Sequence, residues 1–315
     1  MKRCFAVVLD IALALAAFAG GIALLTYSSD KAVEHSIFLA KAMGLSPFII
    51  GFLLVSLGTD LPEIANSLTS CALGHGNINV GDSLGSVMTQ ITLVPGILAF
   101  FGGVFGLKRK EIIAVGVCQI LALMLSISIA EKGYFTHANG FFLVLSWAMF
   151  MLLSYRAVPR RHVEAVPTRR LYHLMFALFG FIGVALGAYM LVNSILFFSS
   201  IFGVHEYLLS FFLASIGTSL PELVVDLTAI RRKQYELAIG DIIGSCVVDA
   251  SLSIGIGQML FPTKVSGELA RTTGAYTFLV SVLVLFVLAW RQKLDRKAGA
   301  FFLFLYAFSY VALML

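Results

Sequence analysis

GTDLPEIANSLTS at residues 58–70 and GTSLPELVVDLTA at residues 217–229 are two versions of one sequence. Each is followed by a second related pair, VGDSLGSVMTQ at 80–90 and IGDIIGSCVVD at 239–249. A single offset of 159 residues, the separation of Glu63 and Glu222, aligns both pairs. These duplicated segments are the most polar parts of very apolar surroundings. In a membrane chain, such a pattern predicts an ion or substrate site near the middle of the bilayer.

The composition excludes a soluble domain. The chain is 59% hydrophobic and 12% charged, with a mean hydropathy of +0.95, whereas about a quarter of the residues in soluble domains are charged. In such a chain the net charge of +5 indicates topology, not nucleic-acid binding. The four cysteines are scattered singly and no two histidines are four residues apart. We therefore expect no disulfide framework, no zinc site and no cofactor.

The sequence predicts an all-α integral membrane protein with ten transmembrane helices. Apolar segments of spanning length fall at 4–27, 37–72, 78–103, 111–130, 139–157, 171–199, 205–230, 237–261, 272–290 and 298–315. The hydrophilic segment 158–170 separates five helices in residues 1–157 from five in residues 171–315, and the repeated motifs lie within 51–97 and 210–257. A unit with an odd number of spans re-enters from the opposite face. The two halves are thus predicted to be inverted repeats of one integrated domain.

Proline and glycine predict irregular helices at the centre of each half. Pro62 and Pro221 lie in mid-span, where the missing N–H removes a backbone hydrogen bond and breaks or kinks the helix. We expect further weak points in the third and eighth helices at Gly81, Gly85, Gly240 and Gly244.

The basic residues predict an orientation. Seventeen Lys and Arg residues lie in or beside the odd-numbered connections and five lie on the other side. By the positive-inside rule, segment 158–170 is cytoplasmic and both termini are extracellular. The first apolar run follows Lys2 and Arg3 and continues to Tyr27, which favours a retained first helix over a cleaved signal peptide. We expect a multi-pass protein of the cell membrane, with the lipid bilayer and small cations as its partners and no obligate protein partner.

Seven carboxylates lie inside predicted spans, where an ionised group costs at least ~2.5 kcal/mol. The spans that contain them hold one basic residue, Lys41, near one end. Structural ion pairs therefore lack partners, and cations or protons must compensate the charge. The seven residues are Asp60, Glu63, Asp82, Glu222, Asp226, Asp241 and Asp249.

The spacing of the polar residues groups oxygen ligands on common helix faces. Thr59 and Thr218 each precede a glutamate by four residues, so hydroxyl and carboxylate share a face. Carboxylate, hydroxyl, amide and freed backbone oxygens are hard ligands that suit Na⁺, Ca²⁺ or protons. The same faces include Ser56 and Ser215, and stripes at i, i+4 and i+8 on the following helices comprise Asp82, Ser86 and Gln90, and Asp241, Ser245 and Asp249.

These residues resemble the motifs of the cation/calcium exchanger superfamily, in particular its prokaryotic sodium/calcium exchanger-like members. The two alpha repeats of that family read approximately G-T-S-x-P-E and then G-N-x-x-G-S-N. The resemblance covers both repeats and the arrangement of five plus five helices. It implies alternating-access antiport of Ca²⁺ against Na⁺ or H⁺ through one central set of sites. Segment 158–170 is too short to hold the Ca²⁺-sensing domains found in animal members of the family.

Carried over by position, the resemblance makes Glu63 and Glu222 the principal shared carboxylates and Gln90 and Asp249 the third pair. The metal-binding carboxylates would be Glu63, Glu222 and Asp249, whose charge of −3 is balanced by three Na⁺, or by one Ca²⁺ and one proton. The flanking Na⁺ sites would be lined by Thr59, Ser86, Thr218 and Ser245, with backbone carbonyls near Ser56 and Ser215.

The sequence departs from the family motif at several positions. Asp60 replaces a small hydroxyl residue, which Ser219 keeps in the second repeat, and Gln90 replaces a shorter Asn or Asp. Asp60 could be a direct ligand, line the ion path or cap a kink. The other departures are Asp82 and Asp241, interpreted as groups behind the ligands or at helix starts, and Val87 and Cys246. Asp226 is interpreted as lying on the ion path at most.

Three alternatives stay open. One is an antiporter coupled to H⁺, or one that moves another cation such as Mg²⁺ or K⁺. Another is an intramembrane aspartyl protease, because Gly81-Asp82 and Gly240-Asp241 are Gly-Asp pairs. Those enzymes need G-x-G-D, and the corresponding positions hold Asn79 and Ala238. The third is a non-transporting channel or structural bundle. Two opposed broken helices suit alternating access better than they suit a continuous pore.

Overall fold

The computed structural model describes residues 2–158, 169–199 and 206–314, so most of the predicted connection 158–170 lies outside the described residues. Within the described ranges ten helical spans follow one another. A short antiparallel ladder joins β1 (Phe105–Gly106) and β2 (Lys293–Leu294). The spans are α1 (Lys2–Met43), α2 (Pro47–Thr59 and Leu61–Ala72), α3 (Gly76–Phe101), α4 (Arg109–Ala130), α5 (His137–Ala157), α6 (Arg170–Ser199), α7 (Tyr207–Arg231), α8 (Tyr235–Leu260), α9 (Gly267–Arg291) and α10 (Arg296–Met314).

The predicted all-helical membrane architecture is confirmed. Among the described residues, seven helices are long and apolar enough to cross a bilayer, and the bent α2 brings the number to eight. The predicted end of the first helix near residue 27 is wrong, because α1 continues to Met43. Beyond residue 27 the helix contains polar residues that have partners in other helices. Asp30 accepts a hydrogen bond of 2.6 Å from Arg232, and the neighbouring Ala32 packs against Gly180 of α6.

The central helices are broken as predicted. The two segments of α2 meet at Asp60 with a bend of 41°, and the backbone of Asp60 leaves helical geometry at φ −75° and ψ 6°. Ser219 adopts nearly the same conformation in α7, at φ −80° and ψ 6°. Pro62 and Pro221 follow two residues later, at positions where a missing N–H is tolerated because a new helical segment begins.

The glycines of α3 and α8 do not weaken these helices, contrary to the sequence-based expectation. Both helices pass through them without interruption. The glycines instead allow the backbones of opposite repeats to touch: a β-carbon on Gly85 would lie 2.1 Å from the carbonyl oxygen of Phe211. On Gly244 it would lie 2.7 Å from that of Phe52. Gly81 and Gly240 meet Tyr207 and Phe48 in the same way.

These contacts place α3 and α8 at the centre of the molecule. The most apolar window of α8 is 100% buried, whereas that of α5 is 33% buried. The first half of α2 packs on α8, and that of α7 packs on α3, so each broken helix meets the opposite repeat. The four glycine contacts form two pairs, and the offset of 159 residues converts one member of each pair into the other.

Shortly after these glycines, α3 and α8 change from α-helical to π-helical geometry. A π-helical turn runs over Thr89–Leu93 in α3 and another over Asp249–Ser253 in α8. Such turns widen a helix by one residue and occur frequently at functional sites. Here they carry Gln90 and Asp249, which the sequence marks as a pair. The corresponding turns Gly51–Val55 and Ser210–Ala214 precede the breaks of α2 and α7.

Candidate cation site

Three buried carboxylates meet where the broken helices contact α3 and α8. One oxygen each from Asp60, Glu63 and Asp249 lies within 4.8 Å of the other two, and none of the three residues is more than 1% exposed. Two come from α2 of the first repeat and one from α8 of the second. The cluster therefore draws its carboxylates from both halves of the chain, and Glu222, predicted as a metal-binding carboxylate with Glu63 and Asp249, is not one of the three.

Glu63 and Glu222 begin the helical segments that follow the two breaks. Each lies in the first turn of its segment, one residue after the proline. The free N–H groups and dipole of a helix start favour a negative charge there. Both glutamates are buried, and none of their four carboxylate oxygens has a hydrogen-bond partner among the described residues. Such orphaned anionic oxygens are suited to hold a cation.

Two hydroxyl pairs join the repeats beside the carboxylates. Ser86 Oγ and Thr218 Oγ1 are 3.2 Å apart, and Thr59 Oγ1 and Ser245 Oγ are 3.5 Å apart. The offset of 159 residues converts one pair into the other. The four predicted hydroxyl residues thus lie together across the repeat interface.

The upstream serines use their hydroxyl groups within their own helices. Ser56 Oγ donates to Phe52 O at 2.6 Å, and Ser215 Oγ donates to Phe211 O at 2.5 Å. The backbone carbonyl of Ser56 accepts the Asp60 N–H and the Thr59 hydroxyl. Both serines are buried.

The repeats differ at the pair of positions beside the glutamates. In the first repeat Gln90 Nε2 donates to Asp60 Oδ1 at 3.5 Å. In the second the hydroxyl of Ser219 and both oxygens of Asp249 are buried and have no hydrogen-bond partner within the described part of the chain. The carboxylate that accompanies the glutamate is thus Asp60, on the broken helix α2, in the first repeat. In the second repeat it is Asp249, on α8, the helix after the broken one.

Asp82 and Asp241 occupy equivalent positions in very different surroundings. Asp82 accepts hydrogen bonds from Asn66 at 2.5 Å and from Thr218 at 3.1 Å. Asp241 instead interacts with the carboxyl group of Asp226. Asn66 was missed by the sequence analysis, because nothing in its spacing distinguishes it from an ordinary polar residue within a helix.

Basic side chains do not compensate this buried charge in the described part of the chain. The ion pairs found there involve carboxylates outside the cluster. Their basic members are Lys31, Lys108, Arg232, Arg291 and Lys293. The cluster is therefore a group of anionic oxygens inside an apolar body, and its chemistry is the binding of hard cations or protons.

Two inverted five-helix repeats around a central oxygen cluster define a secondary cation transporter. The profile of the sodium/calcium exchanger protein family matches residues 13–156 and again residues 172–315. The chain belongs to this family. It is a multi-pass membrane protein and a cation antiporter by family, not an enzyme, which rules out the protease alternative.

Individual relatives agree over nearly the whole length. The inner membrane protein YrbG of Escherichia coli is 26% identical over 303 residues, which are 91% of this chain and 92% of YrbG. The sodium/calcium exchanger MaX1 of Methanosarcina acetivorans is 24% identical, over 93% of this chain and 96% of its own. A solved structure of the sodium-calcium exchanger NCX_Mj, soaked with Na⁺ and Sr²⁺, aligns with a TM-score of 0.80 at 26% identity. It covers 97% of this chain and 100% of that chain.

Proposed function

We propose that this protein exchanges Ca²⁺ for Na⁺ across the cell membrane by alternating access at the central carboxylate cluster. The observation that carries the proposal is the meeting of the Asp60, Glu63 and Asp249 oxygens within 4.8 Å in a fully buried position. Carboxylates brought so close in an apolar interior repel one another unless a cation lies among them. Hard oxygen ligands of this kind select alkali and alkaline-earth cations.

The charge of the core site supports an exchange of these two ions. Glu63, Glu222 and Asp249 carry −3 when all are ionised, which three Na⁺ neutralise, or one Ca²⁺ together with one proton. The four bridging hydroxyls, Thr59, Ser86, Thr218 and Ser245, lie beside the carboxylates and would complete the Na⁺ sites. MaX1 bears the name of a sodium/calcium exchanger, and the NCX_Mj structure was obtained with Na⁺ and Sr²⁺. Both facts favour the same ions here.

Alternating access follows from the inverted repeats. The site lies between the two halves, so rocking one half against the other opens it to one face at a time. The asymmetry of 17 against 5 basic residues favours cytoplasmic odd-numbered connections and extracellular termini. YrbG is an inner membrane protein, which supports a location in the cell membrane.

Coupling to protons is the second candidate, and the acidic residues beyond the family motif favour it. Asp60 and Asp241 add carboxylates that the motif lacks, and closely spaced buried carboxylates share protons. Both candidates use the same central site and differ only in the counter-ion.

Uptake of ⁴⁵Ca²⁺ into proteoliposomes separates the two candidates. Vesicles loaded with Na⁺ and diluted into Na⁺-free buffer should accumulate Ca²⁺, whereas vesicles with only an acidic interior should not. The reverse result would establish proton coupling. Glu63→Gln and Glu222→Gln should each abolish uptake, while the same change at the exposed Glu131 should leave it unchanged. Full uptake in either central variant would contradict the proposed site.

A further inference from the structure

Asp60 is positioned as a ligand instead of a helix cap. We infer that Asp60 binds the transported cation directly and sets the divalent selectivity of the site. The inference rests on the proposed cation exchange and adds a fourth carboxylate to its ligands. The side chain is 0% exposed, and one of its oxygens lies within 4.8 Å of oxygens of Glu63 and Asp249.

The structural role usual for an aspartate at this position is absent. Asp60 is the residue before the helical segment Leu61–Ala72, where Asp normally accepts a hydrogen bond from a backbone N–H of the first turn. Its side chain makes no such bond. One oxygen, Oδ2, has no hydrogen-bond partner among the described residues. The carboxylate is thus turned away from the helix and towards the cluster.

The second repeat shows that the break does not need a carboxylate. Ser219 holds the equivalent position with the same backbone conformation, and its side chain also makes no capping bond. The fold therefore accepts a serine there, and the extra charge of Asp60 serves the site. The Ser219 hydroxyl, like Asp60 Oδ2, is buried and unpartnered among the described residues.

Asp60 also restores the balance of charge between the repeats. Beside its glutamate, the second repeat contributes Asp249, whereas the first has a neutral Gln90 at the corresponding position. Gln90 donates to Asp60 Oδ1 and keeps its own carbonyl oxygen buried and unpartnered in the described structure. Each repeat thus supplies two carboxylates. In the first repeat the second carboxylate, Asp60, lies on the broken helix and not at the position of Gln90. The total of −4 favours a divalent cation over a single monovalent one.

Binding of ⁴⁵Ca²⁺ to purified protein in detergent tests this assignment. Asp60→Ser, which copies Ser219, should weaken Ca²⁺ binding about 10- to 100-fold, because affinity depends on the number of charged ligands. Na⁺ binding, measured by its competition with Ca²⁺, should weaken less. The double variant Asp60→Ser with Gln90→Asp copies the second repeat and should recover most of the lost affinity. Asp30→Asn, which neutralises a carboxylate at the surface, should bind Ca²⁺ as the wild type does.

The outcomes separate this inference from the proposed function. If Glu63→Gln still binds Ca²⁺ like the wild type, the central site itself is wrong. If Glu63→Gln loses binding but Asp60→Ser and the isosteric Asp60→Asn both keep it, only the role of Asp60 is overturned. If the double variant binds Ca²⁺ as weakly as Asp60→Ser, a carboxylate at position 90 does not replace one at position 60, and this result would also overturn the inference. Should the serine variant fail to fold, Asp60→Asn provides the same comparison at unchanged volume.

Discussion

Asn66 donates a hydrogen bond to one carboxylate oxygen of Asp82, across 2.5 Å. At the equivalent place in the second repeat, Asp241 faces the carboxyl group of Asp226, and both residues are buried. A neutral amide thus lies beside the aspartate of one repeat, whereas a second acid lies beside that of the other.

Asp226→Asn should therefore stabilise the protein. The new amide can donate to Asp241 as Asn66 does to Asp82, and removing an unpaired buried acid yields about 1–3 kcal/mol. The apparent melting temperature in detergent should rise. Asn66→Asp, one residue out of register with Asp226 under the repeat offset, also places a second acid beside Asp82 and should lower it. Equal melting temperatures for both variants would contradict this account.

Close helix contact predicts a second effect on stability. Gly85→Ala places a methyl group 2.1 Å from the carbonyl oxygen of Phe211, and a backbone atom cannot move aside as a side chain can. We expect a loss of about 3 kcal/mol, seen as a lower melting temperature. Gly244→Ala, at 2.7 Å from Phe52 O, should lose less. Gly106→Ala, with no atom within 4 Å, is the control and should be neutral; a similar loss there would argue against helix contact as the cause.

The sequence was sufficient to predict the broken helices, because a proline in an apolar span has a local effect on the backbone. It also predicted that Glu63 and Glu222 hold equivalent positions after the two breaks, since an offset between repeats is visible without coordinates. The effect of Gly85 was predicted wrongly. A glycine weakens a helix in isolation, but here the approach of Phe211 determines its role, and the sequence does not specify that partner.

The finer geometry of the site was equally beyond the sequence. The π-helical turn that carries Asp249 depends on how α8 packs against its neighbours, and no pattern of residues predicts it. The alternatives for Asp60, a ligand or a cap, could be separated only by the missing capping bond. The role of Asn66 required knowing that it lies beside Asp82, sixteen residues further along the chain.

Asp295 links stability to pH outside the membrane-spanning segments. The Ala298 N–H, at 2.9 Å, and the Arg291 guanidinium, at 2.6 Å, lower the pKa of its carboxyl below the ordinary value. The ionised form therefore stabilises the start of α10 above the pKa of the unfolded chain, and this contribution is lost as the pH falls through the folded pKa. The wild type should melt above Asp295→Asn at pH 7, and the difference should shrink as the pH falls below the ordinary aspartate pKa of about 4. Lys293→Gln, which leaves Asp295 in place, should keep the dependence on pH; a difference between wild type and Asp295→Asn that is constant with pH would contradict the linkage.

Thr218 and Thr59 are equivalent by the repeat, but their removal should have unequal effects. Thr218 Oγ1 donates to Asp82 Oδ1 at 3.1 Å and lies 3.2 Å from Ser86 Oγ, whereas the contact of Thr59 with Ser245 is 3.5 Å long. Thr218→Val leaves a buried carboxylate oxygen without this donor and should cost about 1–3 kcal/mol, lowering the melting temperature more than Thr59→Val does. In the uptake assay both variants should need more Na⁺ for half-maximal exchange, because each removes a hydroxyl that we propose as a ligand of a flanking Na⁺ site. Equal melting temperatures with equal Na⁺ dependence would show that the hydroxyls act as a symmetric pair and that the bond to Asp82 adds no stability.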